Sequence, residues 1–313
     1  MKIVTDINKA TCITHNGTMH ADEIFATAFL DLYLKNIKVY RTSEIPSKIK
    51  ENVIVYDIGR GEYDHHQEDA QKRENGITYC SFGLLWKTFG RDFLKKRKIQ
   101  EIDDVFIAFD KDFVEGIDAD DNGIFPKIES TYKVRTLSEV FKLFNPSYKA
   151  NQNETEQFMK AVEFAKIILE EELNNIIGKI IAKTKVLELL KEANNNTLYL
   201  SEYMPYEQTL LQEESGNDIL FVVFPSNRGG YCIKTVPKSQ EDHTKRKDFP
   251  ESWAGLAEEE LVKTSGIKGI KFCHQTRFLV SCDTLETAKK IIEKVLNESD
   301  DDLETKNTLD KTI

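Results

Sequence analysis

The sequence has no apolar run long enough to cross a membrane, because Lys, Asp or Glu interrupts even its richest apolar stretches. Its first residues also lack the apolar segment and the small-residue cleavage site of a secretory signal. We therefore expect a cytoplasmic protein without membrane attachment. The length of 313 residues is sufficient for two domains, each with its own core.

Closely spaced cysteines and an excess of positive charge are absent as well. The five cysteines are scattered without a CxxC spacing, which argues against a zinc ribbon and a disulfide framework and favours buried thiols. The formal net charge is −10, which argues against a protein that coats long nucleic acid through a broad basic face. A short nucleic-acid substrate, held by metal and a few basic groups, is compatible with this charge.

The first part of the chain predicts an α/β layer with a mainly parallel sheet flanked by helices. Strands are predicted at residues 10–15, 37–42 and 52–57, and the third is apolar almost throughout. A helical pattern begins near His20, between the first and second strands. Because ligands of parallel sheets bind at the carboxyl ends of the strands, His15 and Asp57 fall where a site is expected.

The later part of the chain has a different pattern. Helical periodicity continues from 154 to 193, and short strands joined by hairpins follow it. We therefore predict a smaller α+β C-terminal domain with antiparallel strands. The expected divisions are a metal-binding domain at 1–153, a long helical connector at 154–196, the second domain at 197–296 and an acidic disordered tail at 297–313.

Histidine is scarce but concentrated. Of six histidines, four lie in the first 66 residues, namely His15, His20, His65 and His66. Asp64 precedes the adjacent pair, and imidazole with carboxylate is the usual ligand set for Mn, Zn and Fe. Side chains of consecutive residues point in different directions, so the two histidines need not have the same role. Taken alone, the stretch is more typical of an exposed turn than of a metal site.

Carboxylates accompany these histidines in chain order. Asp22 and Glu23 fall in the first turn of the predicted helix. Negative charge is favourable there because it complements the helix dipole, so either residue could stand there without binding a metal. Asp118, Asp120 and Asp121 fall at a helix C-terminus, where negative charge is unfavourable unless a cation compensates it. The alternative is a solvated acidic loop, with Asp120 as its first candidate. Together the clusters supply the roughly six or seven groups of a two-metal site.

The order and types of these residues resemble the DHH phosphoesterase superfamily and, within it, the family of the melanocyte-proliferating-gene exonuclease. The matching stretches are 14–23, 55–59, 62–67, 113–123, 249–256 and 265–269. The first of them departs from the general superfamily pattern HxxxDxD, because four residues separate His15 from His20 and a histidine stands in place of an aspartate. This histidine favours a softer ion than Mg²⁺.

The resemblance implies a DHH-like catalytic domain with two divalent ions, and a second domain that closes over the substrate. Mn²⁺ is the preferred ion, with Mg²⁺, Zn²⁺ and Co²⁺ as alternatives. By this resemblance, the ligands of one ion would be His15 and His20, those of the other Asp22, His65 and Asp118, and the bridging ligand Asp57. Asp121 and Glu23 would be further ligands or would support them. Asp64 would orient His65, and His66 would face the scissile phosphate.

Substrate contacts are expected in the second domain. Arg228, Gly229 and Gly230 form a loop whose amides could approach a phosphate, and a plain hairpin turn is the alternative. His274 and Arg277, in the terminal hairpin, are further candidates, with a structural role as the alternative.

The leading hypothesis is a 3′–5′ exonuclease that acts on RNA or short oligonucleotides through a metal-activated water. One alternative is a hydrolase of pyrophosphate or of a cyclic or short dinucleotide, which the acidic charge favours. The other is a non-catalytic scaffold that retains the fold. The sequence leaves the oligomeric state open, and a homodimer is compatible with it.

Overall fold

The computed structural model describes residues 1–45, 48–193 and 196–309. The chain divides into two compact units, Met1–Ile180 and Ile181–Ile313. None of the helices in the described ranges carries an apolar stretch of the length that a bilayer requires.

The first unit contains a parallel four-stranded sheet with the strand order β1-β3-β2-β4. The strands are β1 (Lys2–Ile3), β2 (Cys12–His15), β3 (Lys38–Thr42) and β4 (Ile54–Val55). Helices flank this sheet, so the predicted α/β fold class is confirmed. β1 escapes prediction because two residues are too short to show a periodic pattern.

The helices that begin in this unit surround one aromatic core. They are α1 (Ala21–Leu34), α2 (Ser81–Lys96), α3 (Ile102–Phe109), α4 (Glu115–Asp121), α5 (Leu137–Phe141) and α6 (Glu154–Leu190). Phe25 of α1 packs edge-on against Phe113 and Phe141, with ring centroids 5.3 and 4.8 Å apart. α1 is buried along most of its length, which fixes the position of its first turn.

A π-helical turn at Asp110–Val114 joins α3 to α4. A π turn contains a wider backbone ring than an α turn, so it changes the face on which the following residues lie. The helical pattern predicted at 101–118 therefore continues to Asp121 but with a shifted phase. The shift changes the face of α4 on which its acidic residues lie relative to α3.

α6 is one helix of 37 residues. Its first part buries Phe158 and Val162 in the core of the first unit, and its last part buries Val186 and Leu190 in a core of the second. The two compact units divide within this helix, between Ile180 and Ile181. The connector boundaries expected at residues 153 and 196 stay predictions. Asn194 and Asn195, near the end of the predicted connector, lie outside the described residues.

The second unit contains a mixed five-stranded sheet with the order β5-β6-β7-β9-β8, in which only β5 and β6 pair in parallel. The strands are β5 (Thr197–Tyr199), β6 (Phe221–Pro225), β7 (Tyr231–Thr235), β8 (Ile270–Cys273) and β9 (Leu279–Cys282). The helices are α7 (Glu207–Gln212), α8 (Glu258–Ser265) and α9 (Leu285–Leu309). α9 extends into the stretch from 297 onward, for which the sequence predicts a disordered tail.

Candidate metal centre

The carboxyl ends of β2 and β4 form the base of the site. The two strands are parallel neighbours, and the Tyr56 amide donates to the Ile13 carbonyl at 3.0 Å. His15 is the last residue of β2, and Asp57 follows β4 by two positions. The two side chains predicted at the strand ends therefore meet, as the topology of a parallel sheet requires.

Asp57 lies between two imidazoles. Its Oδ2 is 3.1 Å from His15 Nε2, and its Oδ1 is 3.3 Å from His65 Nε2. The residue has a positive φ of 55°, a conformation that few residues except glycine, asparagine and aspartate adopt. The two imidazoles lower the pKa of Asp57 although its burial acts in the opposite direction. One carboxylate thus offers a separate oxygen to each side of the site.

His15 is held with one ring nitrogen directed into the site. Its Nδ1 contacts the Asn16 carbonyl at 2.9 Å, so Nδ1 is the donor and Nε2 faces Asp57. A backbone carbonyl on one imidazole nitrogen is the usual support for a metal ligand at the other. Burial lowers the pKa of His15, but the carboxylates of Asp57 and Glu23 outweigh it and raise the pKa to about 11.

His65 is surrounded by carboxylates. Its Nε2 lies 3.2 Å from Asp121, 3.3 Å from Asp57 and 3.6 Å from Asp22. Burial lowers the pKa of His65, but these carboxylates, led by Asp57, raise it to about 9. The proton on His65 therefore balances part of the negative charge that a cation bound by His65 and these carboxylates would balance instead.

Asp22 and Glu23 enter the site from the first turn of α1, and both are fully buried. The Asp22 carboxylate accepts hydrogen bonds from the Ser81 and Phe82 amides at the start of α2, at 3.1 and 2.7 Å. Each of its oxygens keeps a lone pair for a cation. Burial raises the pKa of both carboxyls, and the neighbouring Asp57 raises that of Asp22 further.

His20 precedes α1 and is exposed, with its ring 6.0 Å from that of His15. Its amide donates to the Glu23 carboxylate at 2.9 and 3.0 Å. Among the residues that the structure describes, three groups have ligand atoms that converge closely enough for one ion. They are His15 with His20 and Glu23, Asp57 with His65 and His66, and Asp22 with His65 and Asp121.

The partner of Asp64 differs from the expectation. Its carboxylate lies 2.7 Å from His66 Nδ1 and accepts the Arg60 amide at 2.6 Å, so Asp64 orients His66 and not His65. The reason is local, because the turn directs the His66 ring back over Asp64 while His65 points to the sheet edge. Burial raises the pKa of Asp64, but the contact with His66 outweighs it and the pKa is lowered.

Asp118 also differs from its expected role as a ligand. It is fully buried, accepts the Arg73 Nε–H at 2.8 Å and accepts the Cys80 amide at 3.0 Å. Burial raises its pKa to about 6 although Arg73 opposes the change. Asp121, three residues further along α4, is the carboxylate that reaches His65. Arg73 also contacts Asp110, and no pattern in the sequence predicts these contacts.

These positions predict opposite results for two matched variants. Asp121→Asn should weaken Mn²⁺ binding by about tenfold or more, because it removes a charge at His65. Asp118→Asn should retain Mn²⁺ binding and lower the free energy of unfolding by about 3 kcal/mol, because it leaves the buried Arg73 without one partner. Calorimetric Mn²⁺ titration and urea unfolding measure the two effects. The reverse pattern would make Asp118 the ligand.

A cavity of about 380 Å³ opens over the cluster. Its lining residues are His15, His20, Ser43, Asp57, Ile58, Gly59, Arg60, Asp64, His65, His66 and Asp121. Arg60 is exposed at the rim of this cavity and places a guanidinium there. No motif in the sequence predicts this position. An isolated arginine beside a Gly-containing turn gives no signal in one sequence.

The C-terminal candidates lie in the second unit and have structural contacts. Arg228, Gly229 and Gly230 form the turn between β6 and β7, in which the Gly229 amide donates to the Ser226 carbonyl at 3.0 Å and the Arg228 amide to the Ser226 hydroxyl at 3.1 Å. The amides of Arg228 and Gly229 are therefore used within the hairpin, and the phosphate-binding loop stays a prediction.

His274 and Arg277 occupy the turn between β8 and β9. His274 Nδ1 lies 2.9 Å from the Thr276 hydroxyl, and Arg277 contacts the Asp248 carboxylate at 3.2 Å. These contacts shape the hairpin, so the expected role in substrate binding has no support from them and stays a prediction.

The donor set of the first unit fits a divalent cation. Asp57 Oδ1 is buried and accepts no hydrogen bond within the described part of the chain, although His65 Nε2 lies 3.3 Å from it. Buried oxygens of this kind normally have a partner. Carboxylate oxygens and imidazole nitrogens are ligands for Mn²⁺ and similar ions, and a cation here would provide that partner.

The fold and the site together define an α/β protein with a candidate divalent-metal centre at the carboxyl edge of its parallel sheet. The model of the MYG1_exonuc family, described as Uncharacterised protein family (UPF0160), matches residues 11–296. The chain therefore belongs to this family, as its motifs predict.

Three relatives illustrate the similarity. The human MYG1 exonuclease is 29% identical over 90% of this chain and 85% of its own. The MYG1 exonuclease of Bos taurus is 30% identical, with 90% and 84% covered. The MYG1 protein of Chlamydia trachomatis is 28% identical, with 91% and 96% covered.

Proposed function

We propose that this protein is a metal-dependent phosphodiester hydrolase, a 3′–5′ exonuclease acting on RNA or short oligonucleotides. The observation that carries the proposal is Asp57, whose two oxygens face His15 and His65 on opposite sides. A carboxylate that offers a separate oxygen to each of two ligand sets can bridge the two cations of a two-metal hydrolase. Membership of a family whose mammalian relatives are named exonucleases supports the reaction class.

The residues would divide the site into two ligand sets. His15 and His20 would hold one cation with Glu23 beside them, and Asp22, His65 and Asp121 would hold the other, with Asp57 shared. In this assignment Asp121 takes the place first given to Asp118. Mn²⁺ suits a set of this composition, because it accepts both imidazole and carboxylate ligands.

Divalent cations bound here would acidify a water molecule and stabilise negative charge on the phosphate and the leaving oxygen. His66 has a different task, because its side chain is 61% exposed and lines the cavity. Asp64 holds the ring through Nδ1, which directs Nε2 away from Asp64. A protonated His66 would donate from Nε2 to a phosphate oxygen or to the leaving group. Arg60, at the rim, would pair with a further phosphate.

A hydrolase of pyrophosphate or of a cyclic or short dinucleotide is the second candidate. The net charge of −10 favours it, because a strongly acidic protein repels long polyanions. Both candidates use the same cluster of ligands, so only the length of the substrate separates them.

The proposal is tested by one assay of the purified protein with Mn²⁺ or EDTA. Substrates are RNA and DNA labelled at either end, a dinucleotide and pyrophosphate. We expect Mn²⁺-dependent shortening of 5′-labelled RNA in single steps, with EDTA abolishing turnover. Cleavage of the small substrates alone would favour the second candidate, and a protein that binds no metal and cleaves nothing would be a scaffold.

A further inference from the structure

The loop that follows the metal centre is rich in exposed apolar side chains. Residues 123–136, here called the aromatic loop, connect α4 to α5 without regular secondary structure. Its exposed large side chains are Ile124 (49%), Phe125 (60%), Ile128 (54%), Tyr132 (75%) and Val134 (39%). Apolar side chains clustered on a surface in this way indicate a binding site more often than isolated ones do.

Both ends of the aromatic loop are attached to the end of α4. The Ile124 amide donates to the Ala119 carbonyl at 2.8 Å, and the Thr136 hydroxyl donates to Asp120 at 2.9 Å. Asp120 directly precedes Asp121, which contacts His65 in the candidate metal centre. The loop is therefore fixed to the same helical turn that supplies a proposed ligand.

The aromatic loop borders a cavity of about 500 Å³ of its own. Among the residues that line this cavity are Asp120, Phe125, Tyr132, Lys133 and Lys142. Asp121 lines the cavity over the metal centre. Consecutive residues of α4 thus line the two cavities, one residue in each.

Positive charge accompanies the aromatic rings. Between residues 123 and 142 the sequence has four cations and two carboxylates, in a chain whose net charge is −10. The cations are Lys127, Lys133, Arg135 and Lys142. Lys133 lies 3.7 Å from Glu139, and its side chain is still 68% exposed. This local excess of positive charge is suited to an anionic ligand.

We propose that the aromatic loop binds the unpaired bases of a single-stranded nucleic acid, while its cations contact the phosphates. The inference rests on the proposed function, because the aromatic loop would hold the part of the substrate strand that extends beyond the metal centre. Aromatic faces with neighbouring cations are the surface that binds single strands with little sequence preference, because every base can stack. A duplex hides the faces of its bases, so it should bind less tightly.

The test measures binding apart from cleavage. Fluorescence anisotropy in EDTA gives the Kd of the full-length protein for a labelled single-stranded RNA, the matching DNA and the duplex. We expect the Phe125→Ala and Tyr132→Ala variants each to raise the Kd for both single strands by about tenfold. The matched control is Tyr148→Ala, which removes a 91% exposed aromatic side chain outside the loop and should not change the Kd. Because all these side chains are exposed, the variants should fold normally.

The variant Lys133→Gln tests the contribution of charge. Lys133→Gln should reduce the slope of log Kd against log salt by about 0.7, the value for one phosphate contact to a single strand. An equal salt dependence of variant and wild type would overturn the role given to this lysine.

Kinetics with Mn²⁺ separate this inference from the proposed function. Phe125→Ala and Tyr132→Ala should raise the KM for an oligonucleotide but leave the turnover of bis(4-nitrophenyl) phosphate, a small diester, unchanged. A Kd that is unchanged in the loop variants, or a wild type that binds no single strand, overturns the inference even if the small diester is cleaved. Loop-dependent binding without any hydrolysis would instead overturn the proposed function.

Discussion

Asp57→Asn is expected to lower Mn²⁺-dependent phosphodiester cleavage by about a thousandfold or more, because it removes the charge shared by both ligand sets. Asp57 contacts both histidines, since its Oδ2 lies 3.1 Å from His15 Nε2 and its Oδ1 lies 3.3 Å from His65 Nε2. Asparagine is the suitable replacement because it tolerates the positive φ of this position and keeps the size of the side chain. The initial rate of oligonucleotide cleavage at saturating Mn²⁺ measures the effect.

Asp69→Asn is the matched control, since this exposed carboxylate lies three residues after His66. Its rate should equal that of the wild type. Circular dichroism and the thermal midpoint show whether each variant is folded. A folded Asp57→Asn protein with undiminished turnover would exclude the proposed metal mechanism.

The second large effect is a steep rise of Mn²⁺ affinity with pH. In the metal-free protein the pKa of His15 is raised to about 11 and that of His65 to about 9, so both rings are protonated at neutral pH. A cation must displace a proton from each ring that it binds. With two protons released, the affinity should increase by up to about a hundredfold per pH unit between pH 6 and 8.

Calorimetric titration in buffers of different ionisation enthalpy counts the released protons. His15→Asn should release one proton fewer than the wild type, and an affinity independent of pH would contradict the assignment.

The same pKa shifts give the stability of the metal-free protein the opposite dependence on pH. Groups with a raised pKa contribute their stability fully below their ordinary pKa of about 6.5 and lose it as the pH rises through the raised value. The metal-free protein should therefore become less stable in alkaline solution.

The arrangement of the sheet could be predicted because it follows from local patterns. Apolar β-branched stretches predict β2, β3 and β4, and the rule for parallel sheets then places His15 and Asp57 at one edge. The adjacent histidines could also be given different roles, since consecutive side chains diverge. The family resemblance was needed to order these residues into two ligand sets.

The acidic residues of α4 could not be assigned from sequence. Asp118 and Asp121 are three positions apart, so they lie on similar faces of a helix and either could approach the sheet edge. The π turn at Asp110–Val114 shifts the phase, and the burial of Arg73 gives Asp118 a different partner. Both features depend on tertiary packing, which leaves no local periodic signal.

The most direct test of the metal centre is the anomalous diffraction of crystals grown with Mn²⁺. We expect two manganese peaks on either side of Asp57, one in contact with His15 and the other with His65 and Asp121, while Asp118 stays on Arg73. Crystals without a peak in this cluster, or with a single peak bound through Asp118, would contradict the two-ion site.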